Sequence, residues 1–177
     1  MSLVENGLIH LYVGDGKGKT TAALGLAMRA LGAGEKIFFA QFLKGRESSE
    51  IIILKRLDID VIRTDGITKF SKDMNEEEKK AAKTLCQKCL EQIDEAVNSN
   101  KYGLIVCDEV VDAINLGFID TDEFLNIINK RKSNTEIVMT GRNPNDKIVD
   151  AADYLTVMSA LKHPYRKGIK GRLGIEY

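Results

Sequence analysis

The chain has 177 residues, of which 44% are hydrophobic and 29% are charged, and its 26 lysines and arginines balance 26 aspartates and glutamates. No net charge draws it towards nucleic acid or an anionic membrane, so any site for an anion must be local. The sequence has no apolar run of the roughly twenty residues that a membrane span needs and no signal-peptide pattern, so we expect a cytoplasmic protein. Its length predicts one domain over residues 1–177.

A glycine-rich loop joins the first predicted strand, residues 8–13, to the first predicted helix, residues 20–31. That helix is expected to end near Gly32 and Gly34, which suit a left-handed cap. Backbone N–H groups of glycines can converge on an anion, and a lysine and a threonine at the helix start can add an ammonium and a metal-binding hydroxyl. The loop therefore predicts a polyphosphate site. Its residues are Gly14, Asp15, Gly16, Lys17, Gly18, Lys19, Thr20 and Thr21.

This loop departs from the usual phosphate-binding pattern by one residue. The usual pattern has a glycine five positions before the Gly-Lys pair. Here that position is Val13, so the first glycine is Gly14. The shortening keeps Lys19 and Thr20 at the helix start but changes the path of the backbone around the phosphates. We therefore expect a nucleotide to lie differently in this loop.

Short apolar runs alternate with amphipathic helical patterns along the rest of the chain, which predicts an α/β fold with a mainly parallel sheet and helices on both faces. Asn75 can cap the longest helix, ahead of three glutamates that the helix dipole favours. Asp120 or Thr121 can cap a helix that runs to about Arg131. The predicted buried stripe of the longest helix comprises Ala81, Ala82, Leu85, Cys89, Ile93 and Val97. The further predicted strands are residues 36–42, 60–64, 103–107, 136–140 and 154–157.

Polar side chains stand where three of these strands end. Asp108 and Glu109 follow a buried strand. In NTP-binding folds, carboxylates at this position hold a metal opposite the loop lysine. The alternative is an ordinary acidic start of the next helix. Gln41 and Lys44 end the second strand, and Arg142 follows the fifth; each can reach the same crevice or stand solvated in a turn.

The cysteines and histidines give weaker signals. Cys86 and Cys89 form a C-x-x-C inside the longest helix, with no second pair at zinc-site spacing, so we predict structural thiols. Cys107 is predicted to lie in the core. His10 is predicted to be a packing residue of the first strand, whereas His163 is better placed to touch a ligand.

Five segments together carry a family resemblance: the loop and first helix GDGKGKTTAALGLAMRALG, then QFLKG, VCDE, TGR, and the C-terminal KHPYRKGIKGRLGIEY. On these segments the chain resembles the ATP:corrinoid adenosyltransferases that act on cob(I)alamin and cob(I)yrinic acid a,c-diamide, and the shortened loop is typical of that family. The resemblance spans almost the whole chain. It implies a RecA-like P-loop fold, a homodimer, and transfer of the 5′-deoxyadenosyl group of ATP to a Co(I) corrinoid, with triphosphate leaving.

The resemblance also implies roles for single residues in ATP and metal binding. Residues 14–21 would hold the triphosphate, with ATP running along the loop in the reverse direction. Lys19, Thr20 and Glu109 would carry the catalysis, in which the loop N–H groups, Lys17, Lys19 and a divalent ion stabilise the negative charge on the leaving group. Thr20 and Glu109 would bind Mg²⁺ or Mn²⁺, with Asp108 in support.

Further contacts are implied at the margins of the site. Arg29 matches a family arginine near the nucleotide, and Arg142 is a second expected ATP contact. His163 is an expected corrinoid contact in a ligand-proximal tail, residues 162–177. A reductase is the implied electron donor.

One segment departs from the family pattern. The family has a Gly-Phe-Thr-Trp-like segment whose aromatic side chains press on the lower face of the corrinoid. This chain has Gly66, Ile67 and Phe70 in that segment and no tryptophan at all. Ile67 and Phe70 are then expected to supply apolar surface to the corrinoid.

Two other functions fit the same motifs. One is a P-loop kinase or ATPase that binds ATP in the usual direction, which the products formed from ATP would distinguish. The other is a regulator that binds nucleotide or corrinoid without turnover, which the altered segment after Gly66 suggests.

Overall fold

The computed structural model describes residues 6–45, 48–67 and 73–177, and within them six parallel strands form one sheet in the order β3-β2-β4-β5-β1-β6. Each strand coincides with an apolar run that the sequence predicts, to within one residue at either end. The strands are β1 (Ile9–Val13), β2 (Ile37–Gln41), β3 (Asp60–Arg63), β4 (Leu104–Asp108), β5 (Glu136–Gly141) and β6 (Tyr154–Val157). The parallel sheet is thus confirmed.

Helices cover both faces of the sheet. On the central strands, successive side chains enter opposite cores: Phe38 packs with the helices of one face and Phe39 with those of the other. Helices α1 and α2 cover the Phe39 face, and α3 to α6 cover the Phe38 face. The helices are α1 (Lys19–Gly32), α2 (Ser49–Arg56), α3 (Glu76–Ser99), α4 (Val110–Asn115), α5 (Thr121–Ile128) and α6 (Asp146–Asp150). This is a RecA-like P-loop arrangement.

The predicted helix signals behave as expected at most positions. Asn75 forms a capping box with Glu78 at the start of α3, and Gly34 lies in the left-handed region (φ 90°) beyond α1. Asp120 caps α5, which ends at Ile128 rather than near residue 131.

One position of the predicted α3 stripe is wrong. Ala81 is exposed, because it precedes the core-facing Ala82 by about 100° around the helix. Leu85 is half-buried, and Cys86 and Leu90 complete the stripe instead. The error is one of phase in the helical pattern and leaves the packing of α3 on the sheet unchanged.

The strand order brings the carboxyl ends of β1, β5, β4 and β2 side by side. Val13 pairs with Gly141 across β1 and β5, and Gln41 pairs with Asp108 across β2 and β4. Ligands of such sheets bind outside these ends. None of the helices in the described ranges is long and apolar enough to cross a membrane.

Candidate active site

The loop after β1 needs its glycines. Gly14 (φ 115°) and Gly18 (φ 125°) lie in the region that favours glycine. The N–H of Gly16 donates to the carbonyl of Met158 over 2.7 Å, and a Cβ on Gly16 would lie 2.6 Å from that oxygen. The loop is therefore fixed against the chain that follows β6.

Lys19 folds back into the loop at the start of α1. Its Nζ donates to the carbonyl oxygens of Gly14 over 2.7 Å and Gly16 over 2.8 Å. Burial lowers the pKa of Lys19, and the nearby Arg142 lowers it further, while Asp112 opposes the change. The loop thus holds a partly desolvated ammonium at its centre.

Asp108, at the end of β4, is the hub of the site. Its side chain is fully buried, and among the described residues it accepts four hydrogen bonds. Oδ1 accepts from the hydroxyls of Thr20 (2.9 Å) and Thr140 (2.8 Å). Oδ2 accepts from Gln41 Nε2 (3.2 Å) and Lys44 Nζ (3.0 Å). These hydrogen bonds come from α1, β5 and the end of β2. They compensate the buried charge of the carboxylate and fix its orientation.

Lys44, just beyond β2, points its ammonium at three oxygens of the described site. Nζ lies 3.1 Å from Thr20 Oγ1, 3.0 Å from Asp108 Oδ2 and 3.6 Å from Glu109 Oε1. Burial acts to lower the pKa of Lys44, but the two carboxylates outweigh it and raise the pKa. Lys44 is therefore a firmly charged cation.

Glu109 stands between β4 and α4 in a left-handed conformation (φ 61°), which is uncommon for a residue other than glycine and recurs at functional sites. Its N–H donates to the Thr140 hydroxyl over 2.9 Å. Burial raises the pKa of Glu109 to about 7, against the opposing effect of Lys44. Burial therefore favours the protonated form of this carboxyl.

These residues border a cavity of about 550 Å³ with three kinds of wall. The polar floor comprises Lys19, Thr20, Lys44, Asp108 and Glu109, with Asp108 lying just beneath the surface. The apolar wall comprises Leu24, Met28, Ile53 and Leu54 from α1 and α2. The tail wall comprises His163, Gly174, Ile175, Glu176 and Tyr177. Charged and apolar groups thus face each other across one space.

The structure brings most predicted site residues to this cavity. Asp15 to Thr21 of the loop, Glu109, Arg142 and His163 all line it. Arg29 is exposed on α1 and is not among the described residues of the lining. Its expected ATP contact remains a prediction.

Gly66 and Ile67, the described part of the predicted corrinoid segment, are not among the residues that line the cavity. Gly66 is exposed in a turn, and Ile67 is buried in the core at 5% exposure, so it offers no surface to a ligand in this structure. Phe70 lies outside the described residues. The corrinoid contacts of this segment remain predictions.

The sequence did not single out three polar residues of the site. Thr140 holds both Asp108 and the Glu109 backbone, and its position just before Gly141 at the end of β5 was the available signal. Asp112, one turn into α4, has a pKa raised by burial. Arg63 donates to Gln41 Oε1 over 3.1 Å and to the Lys44 carbonyl over 2.6 Å.

The cysteines and His10 are structural, as predicted. Cys86, Cys89 and Cys107 are free, buried thiols, and burial raises the pKa of each. In the part of the chain that the structure describes, no group of three or more His, Cys, Asp or Glu side chains is arranged to hold a metal. His10 Nε2 lies 2.9 Å from Glu136 Oε2, and its ring stacks on Tyr154.

Comparison with known proteins agrees with this geometry. The sequence profile of the family "ATP:corrinoid adenosyltransferase BtuR/CobO/CobP" matches residues 5–177. The chain is 32% identical to the corrinoid adenosyltransferase of Pseudomonas aeruginosa, over 98% of this chain and 85% of that protein. It is 30% identical to that of a Sinorhizobium species (98% and 81%) and 28% identical to that of Escherichia coli K12 (98% and 87%).

Proposed function

The chain belongs to the ATP:corrinoid adenosyltransferase family, and from this premise we propose how its cavity transfers the 5′-deoxyadenosyl group of ATP to a Co(I) corrinoid. The observation that supports the proposal is the convergence of the glycine loop, the ammonium groups of Lys19 and Lys44, and the carboxyl groups of Asp108 and Glu109 at one cavity beside an apolar wall. The membership favours this reaction over a conventional kinase or ATPase and over a regulator without turnover.

The loop residues 14–21 bind the triphosphate of ATP, and Lys17 and Lys19 stabilise the negative charge that builds on it as the leaving group. The nucleophilic cobalt must approach the 5′ carbon in line with the departing oxygen. ATP therefore lies along the loop in the reverse of the usual direction, so that its 5′ carbon faces the corrinoid. The apolar wall, which includes Leu24 and Met28, is available to the nucleoside.

The floor fits a divalent cation such as Mg²⁺. Mg²⁺ prefers oxygen ligands, and the Thr20 hydroxyl and the Glu109 carboxylate offer them at the edge of the cavity. Asp108 orients Thr20 through the 2.9 Å hydrogen bond, and the ammonium of Lys44 already lies among these oxygens. A bound divalent cation would help to neutralise the leaving triphosphate.

The corrinoid approaches at the side of the cavity where His163 stands, and both cob(I)alamin and cob(I)yrinic acid a,c-diamide are proposed substrates. A reductase supplies the electron that forms Co(I), and the protein acts in the cytoplasm. We propose a homodimer, supported by β6, whose Tyr154, Leu155 and Val157 are about half exposed at the edge of the sheet. Analytical ultracentrifugation would measure the mass in solution.

Product analysis tests the reaction directly. Incubation with ATP, Mg²⁺ and chemically reduced cobalamin is expected to give adenosylcobalamin, followed by its absorbance, and triphosphate in equal amount. A parallel incubation without the corrinoid is the control and is expected to release no triphosphate. Release of phosphate or diphosphate in place of triphosphate would contradict the proposal.

A further inference from the structure

The ammonium of Lys44 occupies the place among the floor oxygens where a divalent cation would bind. We propose that Lys44 is a resident cation that keeps the metal position closed until nucleotide binds, and that it must leave before a divalent cation can contact Thr20 and Glu109. The inference rests on the proposed function in one respect, namely that the metal position lies between these two residues.

The hydrogen bonds of Thr20 show why the two cations exclude each other. Its hydroxyl has one proton, which it donates to Asp108 Oδ1 over 2.9 Å, and it accepts from Lys44 Nζ over 3.1 Å. Of the two lone pairs on this oxygen, the one that faces Lys44 also faces the space between Thr20 and Glu109 in which the metal ion is proposed to bind. Nζ also lies 3.6 Å from Glu109 Oε1, the second proposed ligand. A divalent cation at this place would lie beside the Lys44 ammonium, and the two positive charges would repel each other.

The backbone around Lys44 aims the side chain at this place. Leu43 adopts a left-handed conformation (φ 58°), and its N–H donates to Thr64 Oγ1 over 2.9 Å. Arg63 donates to the Lys44 carbonyl over 2.6 Å. The backbone is therefore fixed, whereas the long stem of the lysine ends in an ammonium that is free to take other oxygen partners.

Nucleotide would supply those partners. Lys44 lines the same cavity as Lys17 and Lys19 of the loop, so phosphate oxygens bound there lie within the space that its side chain borders. When Lys44 turns to them, it releases the lone pairs of Thr20 and Glu109. Binding of the divalent cation is thereby coupled to binding of the nucleotide, and each strengthens the other.

Binding of Mn²⁺ to the nucleotide-free protein, measured by electron paramagnetic resonance, tests the coupling. Lys44→Met removes the competing positive charge. It is expected to tighten Mn²⁺ binding about tenfold, because the Lys44 ammonium and a nearby cation repel each other strongly at a partly buried site. Lys44→Arg keeps the charge and is expected to bind like the wild type. Lys17→Met is the matched control, since it removes one positive charge from an exposed position of the same cavity, and it is expected to change the affinity by less than about twofold.

The outcomes distinguish the role of Lys44 from the proposed position of the metal. Unchanged or weaker binding in Lys44→Met, or equal tightening in Lys17→Met, would overturn the role of Lys44. The double variant Lys44→Met with Glu109→Gln is expected to lose the tightening. If it binds Mn²⁺ as tightly as the single variant, the metal position of the proposed function is itself wrong. Circular dichroism checks the fold, and Lys44→Gln serves if the methionine variant is unfolded.

Discussion

The polar floor and the tail wall border the same cavity, yet the fold holds them very differently. Asp108 in the floor is fully buried and is bound by side chains from α1, β5 and the end of β2. In the tail, residues 162–177, every residue except His163 is exposed. A hydrogen bond from Ser49 Oγ to the Tyr177 carbonyl, 3.2 Å long, joins the tail to α2.

This difference separates two contributions to one site. Apart from Lys44, which we propose to move when nucleotide binds, the groups of the floor are set by the sheet before any ligand arrives and are preorganised for the charge that develops on the triphosphate. The Arg172 and Glu176 pair at 2.9 Å lies within the tail itself, and a surface ion pair of this kind contributes little to stability. Changes in the floor should therefore affect catalysis or folding, and changes in the tail should affect ligand affinity alone.

The largest effect is expected from Lys19→Ala. Lys19 bonds only loop carbonyls among the described residues and lies outside the core, so the fold should persist while kcat/KM for ATP falls at least about 100-fold. Adenosylcobalamin formation and thermal melting measure the two properties. Lys79→Ala, an exposed lysine of α3, is the control. Turnover that survives in Lys19→Ala would remove Lys19 from the catalytic floor.

Asp108→Asn tests whether the floor is a folding element as well as a binding element. In the wild type, the Asp108 carboxylate accepts hydrogen bonds from four side chains of the described residues. The NH₂ group of the asparagine would face some of these donors without an acceptor between them, so we expect the free energy of unfolding to fall by about 2–4 kcal/mol. Urea unfolding measures the change. Asp122→Asn, which removes an exposed charge paired with Lys147, is expected to change it by less than about 0.5 kcal/mol. Equal effects in the two variants would show that the Asp108 network adds no stability.

Glu109→Gln is expected to raise the Mg²⁺ concentration for half-maximal rate about tenfold, because it removes one anionic oxygen ligand from the proposed metal position. Steady-state rates over a Mg²⁺ titration measure this shift. Glu176→Gln makes the same change in the tail wall and is the matched control. An unchanged titration for Glu109→Gln would take this residue out of the metal site.

The pH dependence sharpens the Glu109 prediction. Burial raises its pKa from 4.5 to about 7, so the ionised carboxylate that binds a cation forms as pH rises through about 7. The Mg²⁺ requirement of the wild type should fall over that range, and that of Glu109→Gln should stay flat. The free energy of unfolding changes in the opposite direction to metal binding and falls as pH rises. The protonated carboxyl favours folding below pH 4.5, and this contribution is lost as pH rises through about 7.

The smallest effect is expected from removal of residues 174–177. Because the tail contacts the rest of the chain at exposed positions, thermal stability and kcat should stay close to the wild type, while KM for ATP rises about threefold. Steady-state kinetics and thermal melting measure these quantities. A large loss of melting temperature would show that the tail belongs to the folded core, and the contrast with the floor would fail.

The sequence predicts the parts of this site that are local. The glycine loop, the apolar strand before Asp108 and the Asn75 cap are each encoded within a few neighbouring residues. The contacts of Lys44 and Thr140 with Asp108 span 64 and 32 residues and depend on the order of strands. That order places β5 between β1 and β4, and a pattern of apolar runs does not encode it.

The buried thiols of α3 and β4 have a practical consequence. Co(I) chemistry requires a strongly reducing medium, and a chain whose three cysteines are all free has no disulfide for that medium to break. Burial raises the pKa of each thiol, so little thiolate is present at neutral pH, and alkylating reagents react slowly with the folded chain. The rate of cysteine alkylation therefore measures the rate at which the core opens, under the reducing conditions in which the enzyme works.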